Sequence, residues 1–212
     1  MELAKKNAHV IVASRTPSKG QAAVDEIKAE TKNEKIEFMQ LDLLTLASVT
    51  NFVKEFKAKN LQLHLLLNNA GVMSCPFALS EDGYESQFAT NHVSSEHKRE
   101  REKRCNGYSL IKHILLQILI KSQLAPFYLT TQLLPILEQS QPSRIVNVSS
   151  MAHKTIYFHG LSLDKLNDKS KYNEHVAYGR SKTCNILFTR ELSDRLEKKG
   201  VKVCKNEDSA LV

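Results

Sequence analysis

A tyrosine and a lysine in the second half of the chain have the types and the spacing that proton transfer requires. Tyr178 and Lys182 lie four residues apart in the sequence Ala-Tyr-Gly-Arg-Ser-Lys. Residues at this spacing share one face of an α-helix, so the phenol and the ammonium would project together. A cation near a phenol favours the phenolate and lowers its pKa from about 10. The pair therefore predicts a tyrosine that donates and accepts a proton near neutral pH, although the same spacing is also common on solvated helices.

Two apolar runs upstream of this pair end in polar residues. The β-branched run 144–148 ends in Ser149 and Ser150, and the run 64–67 ends in the segment 68–71, Asn-Asn-Ala-Gly. Such runs predict buried parallel strands, and ligands of open α/β sheets bind at the carboxyl ends of the strands. The two runs therefore direct hydroxyls and amides to one crevice, unless the serines only cap a helix and the Asn-Asn-Ala-Gly segment is only a turn.

The elements that must position these residues alternate between strand and helix. Strands are predicted near residues 8–13, 35–41, 63–68 and 143–149, and helices near residues 18–32, 46–58, 81–92, 108–122, 126–139 and 174–198. This alternation predicts an α/β fold, a doubly wound parallel sheet with helices on both faces. The segment 151–173 is predicted to be a long loop before the last helix.

In this order the motifs resemble those of the short-chain dehydrogenase/reductase family, and specifically its retinol-dehydrogenase-like branch. The resemblance covers roughly residues 1–92 and 125–202, with further matches at 12–16 (Val-Ala-Ser-Arg-Thr), 41–43 (Leu-Asp-Leu) and 90–92 (Thr-Asn-His). It implies that Tyr178 is the general acid and base, and that Lys182 binds the nicotinamide ribose and lowers the pKa of the tyrosine. It also implies that Ser150, rather than Ser149, hydrogen-bonds the substrate, and that Asn91 holds a water in a proton relay.

The resemblance also implies a dinucleotide cofactor, with Asp42 matching the residue that contacts the adenine. The segment that lines the cofactor in the family matches Asn68, Asn69, Ala70 and Gly71. Arg15 follows the first predicted strand, where a dinucleotide-binding fold usually has an acidic residue for the ribose hydroxyls. An arginine there suits a 2′-phosphate and favours NADP over NAD, with a plain surface arginine as the alternative. The implied reaction moves a hydride between the nicotinamide and a small-molecule alcohol or carbonyl substrate while Tyr178 transfers the proton.

Both ends of the chain depart from the family pattern. The family begins with a strand and a Gly-rich turn that holds the pyrophosphate at a helix N-terminus, whereas residues 1–7 already predict the last turns of the helix after that turn. The strand, the Pro-Gly turn and the substrate-binding lobe expected after helix 174–198 are missing. We therefore expect an incomplete Rossmann-like sheet that lacks the first strand, at an empty central position, and the C-terminal strands. The expected function is an NAD(P)-dependent oxidoreductase. The alternative is a catalytically inactive truncated isoform or mis-spliced product, retaining at most a dimerisation role.

Residues 93–123 interrupt the family pattern. Their seven Lys and Arg residues against three Glu residues give about +4 of the formal net charge of +7, and an apolar stretch follows the basic run. The basic run is typical of a solvated helix or linker. The apolar stretch is shorter than the ~20 residues of a membrane span, with a surface-lying amphipathic helix as an alternative. A third interpretation is an unspliced intron, because Val93-Ser94 can be encoded by a common intron-start sequence and Gln123 by a common intron-end sequence. The tail 203–212 begins with residues that can be encoded by another intron-start sequence.

Length and composition limit the number of domains and the kinds of partner that are expected. At 212 residues and 42% hydrophobic content, the chain predicts one domain over residues 1–212, interrupted at 93–123. The four cysteines lack metal-ligand spacing and, without a signal peptide, indicate reduced thiols in a cytoplasmic protein. Because over half of the net charge lies in 93–123, no nucleic-acid partner is expected, and no membrane span or metal site is predicted. The apolar residues of helix 174–198 are predicted to be core or homodimer contacts rather than ligands.

Overall fold

The computed structural model describes residues 1–91, 125–162 and 165–201 of the chain. Within these ranges, parallel strands alternate with helices. The strands are β1 (Val10–Ser14), β2 (Ile36–Gln40), β3 (Leu65–Asn68) and β4 (Arg144–Asn147), and the α-helices are α1 (Glu2–Lys5), α2 (Pro17–Thr31), α3 (Leu46–Ala58), α4 (Ser86–Asn91), α5 (Ala125–Gln139), α6 (Ile156–His159) and α7 (Glu174–Lys198). Two short 3₁₀ turns, Met151–Thr155 and Lys169–Lys171, lie on either side of α6 in the chain.

The strands form two parallel pairs. β1 pairs with β2 in a register that runs from Val10 opposite Ile36 to Ser14 opposite Gln40. β3 pairs with β4 so that Asn68 lies opposite Asn147. In the part of the chain that the structure describes, the two pairs are separate two-stranded sheets.

One hydrophobic core joins the two pairs. Ile11 of β1 and Leu66 of β3 both pack against a cluster that Phe52 of α3 and Leu133 of α5 help to form, so α3 and α5 cover the same face of both pairs. Helix α2 covers the opposite face of the first pair through Val24. The first pair is therefore covered from both sides, as the sequence pattern predicts for an α/β fold.

The order of the strands follows from the handedness of their connections. Crossovers between parallel strands are right-handed, and the two crossovers that flank β2, α2 and α3, lie on opposite faces of the sheet. The chain must therefore reverse direction after β2 and pass β1 before it forms β3. The resulting order is β2-β1-β3-β4, and β1 and β3 are not hydrogen-bonded to each other in the described structure. The expectation of an incomplete sheet is confirmed, whereas the position of the missing strand between β1 and β3 stays a prediction.

The two helices with the clearest sequence signals have the predicted bounds. In α3, the positions Val49, Phe52, Val53 and Phe56 are all buried, which is the i, i+3, i+4, i+7 spacing of one helical face. Helix α7 begins after Asn173, whose side chain accepts hydrogen bonds from the main-chain N–H groups of the first turn, as an N-cap does. The last-turn helix expected at residues 1–7 is also present as α1.

Two predicted boundaries differ from the structure. The helix predicted near 81–92 begins only at Ser86, because the buried carboxylate of Glu85 accepts the N–H groups of Gln87 and Phe88 and so sets the helix start. The segment 151–173 is not a plain loop, since it contains both 3₁₀ turns and α6. The predicted helix 108–122, the interruption 93–123 and the tail 203–212 lie outside the described residues. No helix within the described ranges has the length and apolar character needed to cross a membrane.

Candidate active site

Tyr178 and Lys182 lie side by side on α7, as their spacing predicts. The ammonium nitrogen of Lys182 is 5.5 Å from the centre of the Tyr178 ring. Tyr178 is half-buried, whereas Lys182 is buried at 4% exposure. Burial lowers the pKa of the Lys182 ammonium, since loss of water disfavours the charged form. The pair therefore consists of a partly accessible phenol with a buried cation beside its ring.

The carboxyl end of β4 holds the lysine in place. Its ammonium donates a hydrogen bond of 3.2 Å to the carbonyl of Val148, and the amide of Asn185, one turn further along α7, donates to the same carbonyl at 3.2 Å. The hydroxyl of Ser149 donates to the main-chain carbonyl of Lys182 at 3.0 Å. These hydrogen bonds connect the carboxyl end of β4 to α7 next to Lys182.

The two serines after β4 have different environments. Ser149 is buried and its hydroxyl proton is used by α7. Ser150 is half-buried and caps the first 3₁₀ turn, where its hydroxyl oxygen accepts the N–H of Ala152 at 3.2 Å. An oxygen that accepts one hydrogen bond still has its own proton to donate. Of the two serines, Ser150 is therefore the one whose hydroxyl can donate to a ligand.

Asn91 connects the end of α4 to the loop after β3. Its side chain is 1% exposed and forms a matched pair of hydrogen bonds with the main chain of Val72, at 2.7 and 2.8 Å. The same amide nitrogen donates to the hydroxyl of Ser181 on α7. A methyl group added to Gly71 would lie 3.0 Å from the amide oxygen of Asn91 and 3.4 Å from the ammonium of Lys182. Gly71, Asn91 and Lys182 are therefore packed together.

The rest of the segment 68–71 has two separate environments. Asn68 at the end of β3 donates to the hydroxyl of Thr130 on α5 at 2.9 Å and to the amide oxygen of Asn147 on β4 at 2.7 Å. Its side chain thus ties the second strand pair to α5. Asn69 and Ala70 follow in the loop and are exposed, so they are free to face a ligand.

Arg15 and Asp42 lie on the other strand pair. Arg15 follows β1, is exposed, and accepts a hydrogen bond from Gln40 through its main-chain carbonyl. Asp42 follows β2, is half-buried, and uses its carboxylate to accept the N–H of Leu44 at 2.9 Å. These two residues thus stand at the carboxyl ends of β1 and β2, whereas the group around Tyr178 is built on β3, β4, α4 and α7.

The sequence motifs do not predict a buried polar network that lies near the start of α7. The hydroxyl of Tyr172 donates to the carbonyl of Cys75 at 2.7 Å, accepts from the amide of Gln87 at 2.6 Å, and lies 3.3 Å from the carboxylate of Glu85. Burial raises the pKa of Tyr172 to about 12, with the Glu85 carboxylate acting in the same direction and the hydrogen bond from Gln87 acting against it. The network fixes the loop after β3 to α4 and to the approach to α7. Its one sequence signal is an acidic residue directly before a helix, which is typical of a helix start.

Comparison with known proteins identifies related sequences over nearly all of this chain. The sequence model of the short chain dehydrogenase family matches residues 1–97. The chain is 39% identical over 204 residues to the short-chain dehydrogenase TIC 32 A, chloroplastic, of Brassica napus. The aligned region covers 96% of this chain and 56% of that protein. It is 40% identical over 202 residues to retinol dehydrogenase 12 of Bos taurus, covering 94% of this chain and 52% of the relative.

A solved structure supports the same relationship in three dimensions. An uncharacterised protein from Mycobacterium paratuberculosis superposes with a TM-score of 0.65 at 35% sequence identity, over 95% of this chain and 58% of that one. The chain spans about half the length of the curated relatives it matches.

Proposed function

Because the chain belongs to the short-chain dehydrogenase/reductase family, on its retinol-dehydrogenase-like branch, we propose that it is an NAD(P)-dependent oxidoreductase that interconverts an alcohol and a carbonyl compound. Proteins of this family are oxidoreductases that bind NAD(P) and act on small-molecule substrates. The observation that carries the proposal is the buried ammonium of Lys182, fixed by Val148 against the ring of Tyr178.

Tyr178 is the proposed proton donor and acceptor. In carbonyl reduction its phenol gives a proton to the substrate oxygen, and in alcohol oxidation the phenolate takes that proton back. When bound, the nicotinamide supplies or accepts the hydride. The Lys182 cation stabilises the phenolate that remains after proton transfer. Ser150 donates its free hydroxyl proton to the substrate oxygen, which positions that oxygen and stabilises the negative charge that develops on it.

The residues around Lys182 fit the nicotinamide end of a dinucleotide. The lysine ammonium has one main-chain acceptor, Val148, and two further N–H donors, which suit the ribose hydroxyls. Gly71 leaves open the space that a methyl group would fill between Asn91 and Lys182. Together with Gly71, the exposed residues Asn69 and Ala70 are proposed to form one wall of the nicotinamide site, and Asn68 supports this wall from β3.

Asn91 is proposed to act mainly on the shape of this wall. Both of its amide hydrogens are engaged, by Val72 and by Ser181. A relay water at Asn91 would therefore have to donate to one of its oxygens. By holding Val72, Asn91 also holds the adjoining Gly71 at the nicotinamide end.

The adenine end is assigned to Asp42 and Arg15, with NADP preferred over NAD. Arg15 is exposed at the carboxyl end of β1, and its guanidinium has no salt-bridge partner within the described residues. A planar guanidinium pairs well with a phosphate.

We also propose that residues 1–212 form one domain, interrupted at 93–123. Phe88, which precedes the interruption, packs in one cluster with Phe127 and Phe188, which follow it. Phe127 and Phe188 form an edge-to-face pair with centroids 4.9 Å apart. Residues on both sides of 93–123 therefore share a hydrophobic core, which supports a single unit.

Titration of the purified chain with NADPH and with NADH, followed by reduced-nicotinamide fluorescence, tests the cofactor part of the proposal. We expect saturable binding that is tighter for NADPH, and a loss of that preference, by roughly tenfold or about 1.4 kcal/mol, in Arg15→Ala. Lys19→Ala, an exposed cation nearby on α2, is the matched control and should keep the preference. Absence of saturable binding by the folded chain contradicts NAD(P) dependence, and equal affinities contradict only the NADP preference.

A further inference from the structure

The first 3₁₀ turn, Met151–Thr155, lies directly against α7 at Gly179. A methyl group added to Gly179 would overlap the hydroxyl of Thr155 and lie 2.5 Å from the main-chain carbonyl oxygen of Ala152. The carbonyl belongs to the backbone of the turn and Thr155 is β-branched, so neither can yield easily. Only glycine at position 179 allows this separation between the turn and the helix.

The position of this glycine is unusual for a helix interior. Gly179 lies within the 25-residue helix α7 and is buried, and a glycine there lowers helix stability relative to alanine. At the same contact, the hydroxyl of Thr155 is buried without a hydrogen-bond partner among the described residues, which also costs free energy. Two unfavourable features thus meet where the turn approaches α7.

Thr183, one helical turn after Gly179, holds the turn from the same face of α7. Its hydroxyl lies 3.0 Å from the carbonyl of His153 in the turn and 3.0 Å from the carbonyl of Gly179. Gly179 and Thr183 are spaced i, i+4, as are Tyr178 and Lys182. α7 therefore presents two adjoining rows, one with the proposed catalytic pair and one that seats the turn.

The Met151–Thr155 turn connects the Gly179 contact to Ser150. Ser150 precedes the turn, and its hydroxyl oxygen is held by the N–H of Ala152. The carbonyl of the same Ala152 is the atom that faces Gly179. A displacement of the turn from α7 therefore moves the Ser150 hydroxyl relative to Tyr178, which lies next to Gly179 in the chain.

We propose that Gly179 and Thr183 are positioning residues that set the separation between the Ser150 hydroxyl and the Tyr178 phenol by seating the Met151–Thr155 turn on α7. This inference rests on the proposed function of Ser150 and Tyr178. The side chains of Gly179 and Thr183 need not contact substrate or cofactor. Their effect is expected in the rate of the chemical step rather than in cofactor affinity.

Gly179→Ala tests the proposal through kinetics. Because a misplacement of about 1 Å can cost on the order of 10²-fold in rate, we expect kcat to fall at least about tenfold while the Kd for NADPH stays within about twofold. Thr155→Ala in the Gly179→Ala background removes one of the two overlapping groups and should restore part of kcat. Gly200→Ala is the control, since position 200 has φ of +71° with open space around it. It loses stability through backbone strain without disturbing the turn.

Amide hydrogen exchange of Ala152 and His153, measured by NMR, tests the same contact without any activity. We expect the Ala152 amide to exchange faster in Gly179→Ala and in Thr183→Val than in the unaltered chain. The exchange rates of the α7 amides should stay unchanged in both variants. Gly200→Ala should not alter the exchange rate of the Ala152 amide. If the unaltered chain neither binds NADPH nor turns over, the proposed function fails and the exchange result alone decides whether Gly179 seats the turn. Unchanged Ala152 exchange together with unchanged kcat in Gly179→Ala overturns the positioning role.

Discussion

The ammonium of Lys182 donates a hydrogen bond of 3.2 Å to the carbonyl of Val148, the last residue before the two serines that follow β4. This bond anchors a cation in a place where only 4% of the lysine is exposed. It also links the carboxyl end of a strand to the helix that bears Tyr178. The candidate site thus contains a buried positive charge on Lys182, and its effect on the stability of the folded chain can be measured.

The first prediction concerns the pH dependence of stability. Burial lowers the pKa of Lys182 in the folded chain, so between that value and the unfolded value of about 10.4 the unfolded chain binds more protons. Stability of the wild type should therefore rise with pH relative to Lys182→Met across that window and level off above it. Urea unfolding of both proteins between pH 7 and pH 10.5 measures this difference. Parallel stability curves would refute the buried charge, and exposed Lys19→Met serves as the control.

A second prediction concerns Tyr172 and its neighbours. Its pKa is raised to about 12, above the unfolded value of about 10, so the folded chain holds this proton more tightly. The stabilisation is complete below about pH 10 and is lost as pH rises towards 12. Spectroscopic titration of tyrosinate should show a late step near pH 12 that is absent in Tyr172→Phe. That variant should also lose about 1–3 kcal/mol at neutral pH, because Gln87 and Glu85 lose a buried partner.

The thiol of Cys184 provides a third prediction. It is buried at 3% exposure, and burial raises its pKa to about 12, so little reactive thiolate forms near neutrality. A thiol-specific disulfide reagent should modify equal numbers of thiols in folded wild type and folded Cys184→Ser. After denaturation the wild type should react at one additional thiol. Rapid loss of one thiol from folded wild type, but not from Cys184→Ser, would show that the side chain is accessible.

A fourth prediction addresses residues 93–123. Because Phe88 and Phe127 pack in the same cluster, a chain that lacks 93–123, with residue 92 joined to residue 124, should retain the fold. Circular dichroism should show one cooperative thermal transition at a temperature no lower than that of the full chain. Loss of that transition would show that residues 93–123 are needed for the domain.

The parts of the fold that sequence predicts best are those set by local spacing. Helices α3 and α7 have the bounds predicted from the sequence, 46–58 and 174–198. The capping of α4 by Glu85 is local, since the carboxylate accepts the N–H groups of Gln87 and Phe88. The contact of the same carboxylate with Tyr172, 87 residues away in the chain, is a tertiary arrangement that local pattern does not contain.

The same distinction applies to the candidate site. The i, i+4 spacing of Tyr178 and Lys182 predicts their common face, and the structure has them together. The different environments of Ser149 and Ser150 depend on how β4 packs against α7. Two adjacent serines in the sequence do not indicate which of them is buried by that packing. The use of the Asn91 amide by Val72 and Ser181 is likewise a tertiary arrangement. Sequence thus indicates which groups meet, and the three-dimensional structure indicates which of their atoms are free.

If Tyr178 transfers the proton in a hydride-transfer reaction, the substitution Tyr178→Phe should remove turnover. We would follow NADPH absorbance with simple carbonyl substrates in wild type, in Tyr178→Phe and in the control Tyr157→Phe, and measure NADPH affinity for all three. Tyr157 is suited as the control because it is 78% exposed. We expect carbonyl-dependent NADPH oxidation by wild type and Tyr157→Phe, and a loss on the order of 10²–10⁴-fold in Tyr178→Phe with NADPH affinity retained. Turnover by Tyr178→Phe at the wild-type rate would show that Tyr178 does not transfer the proton.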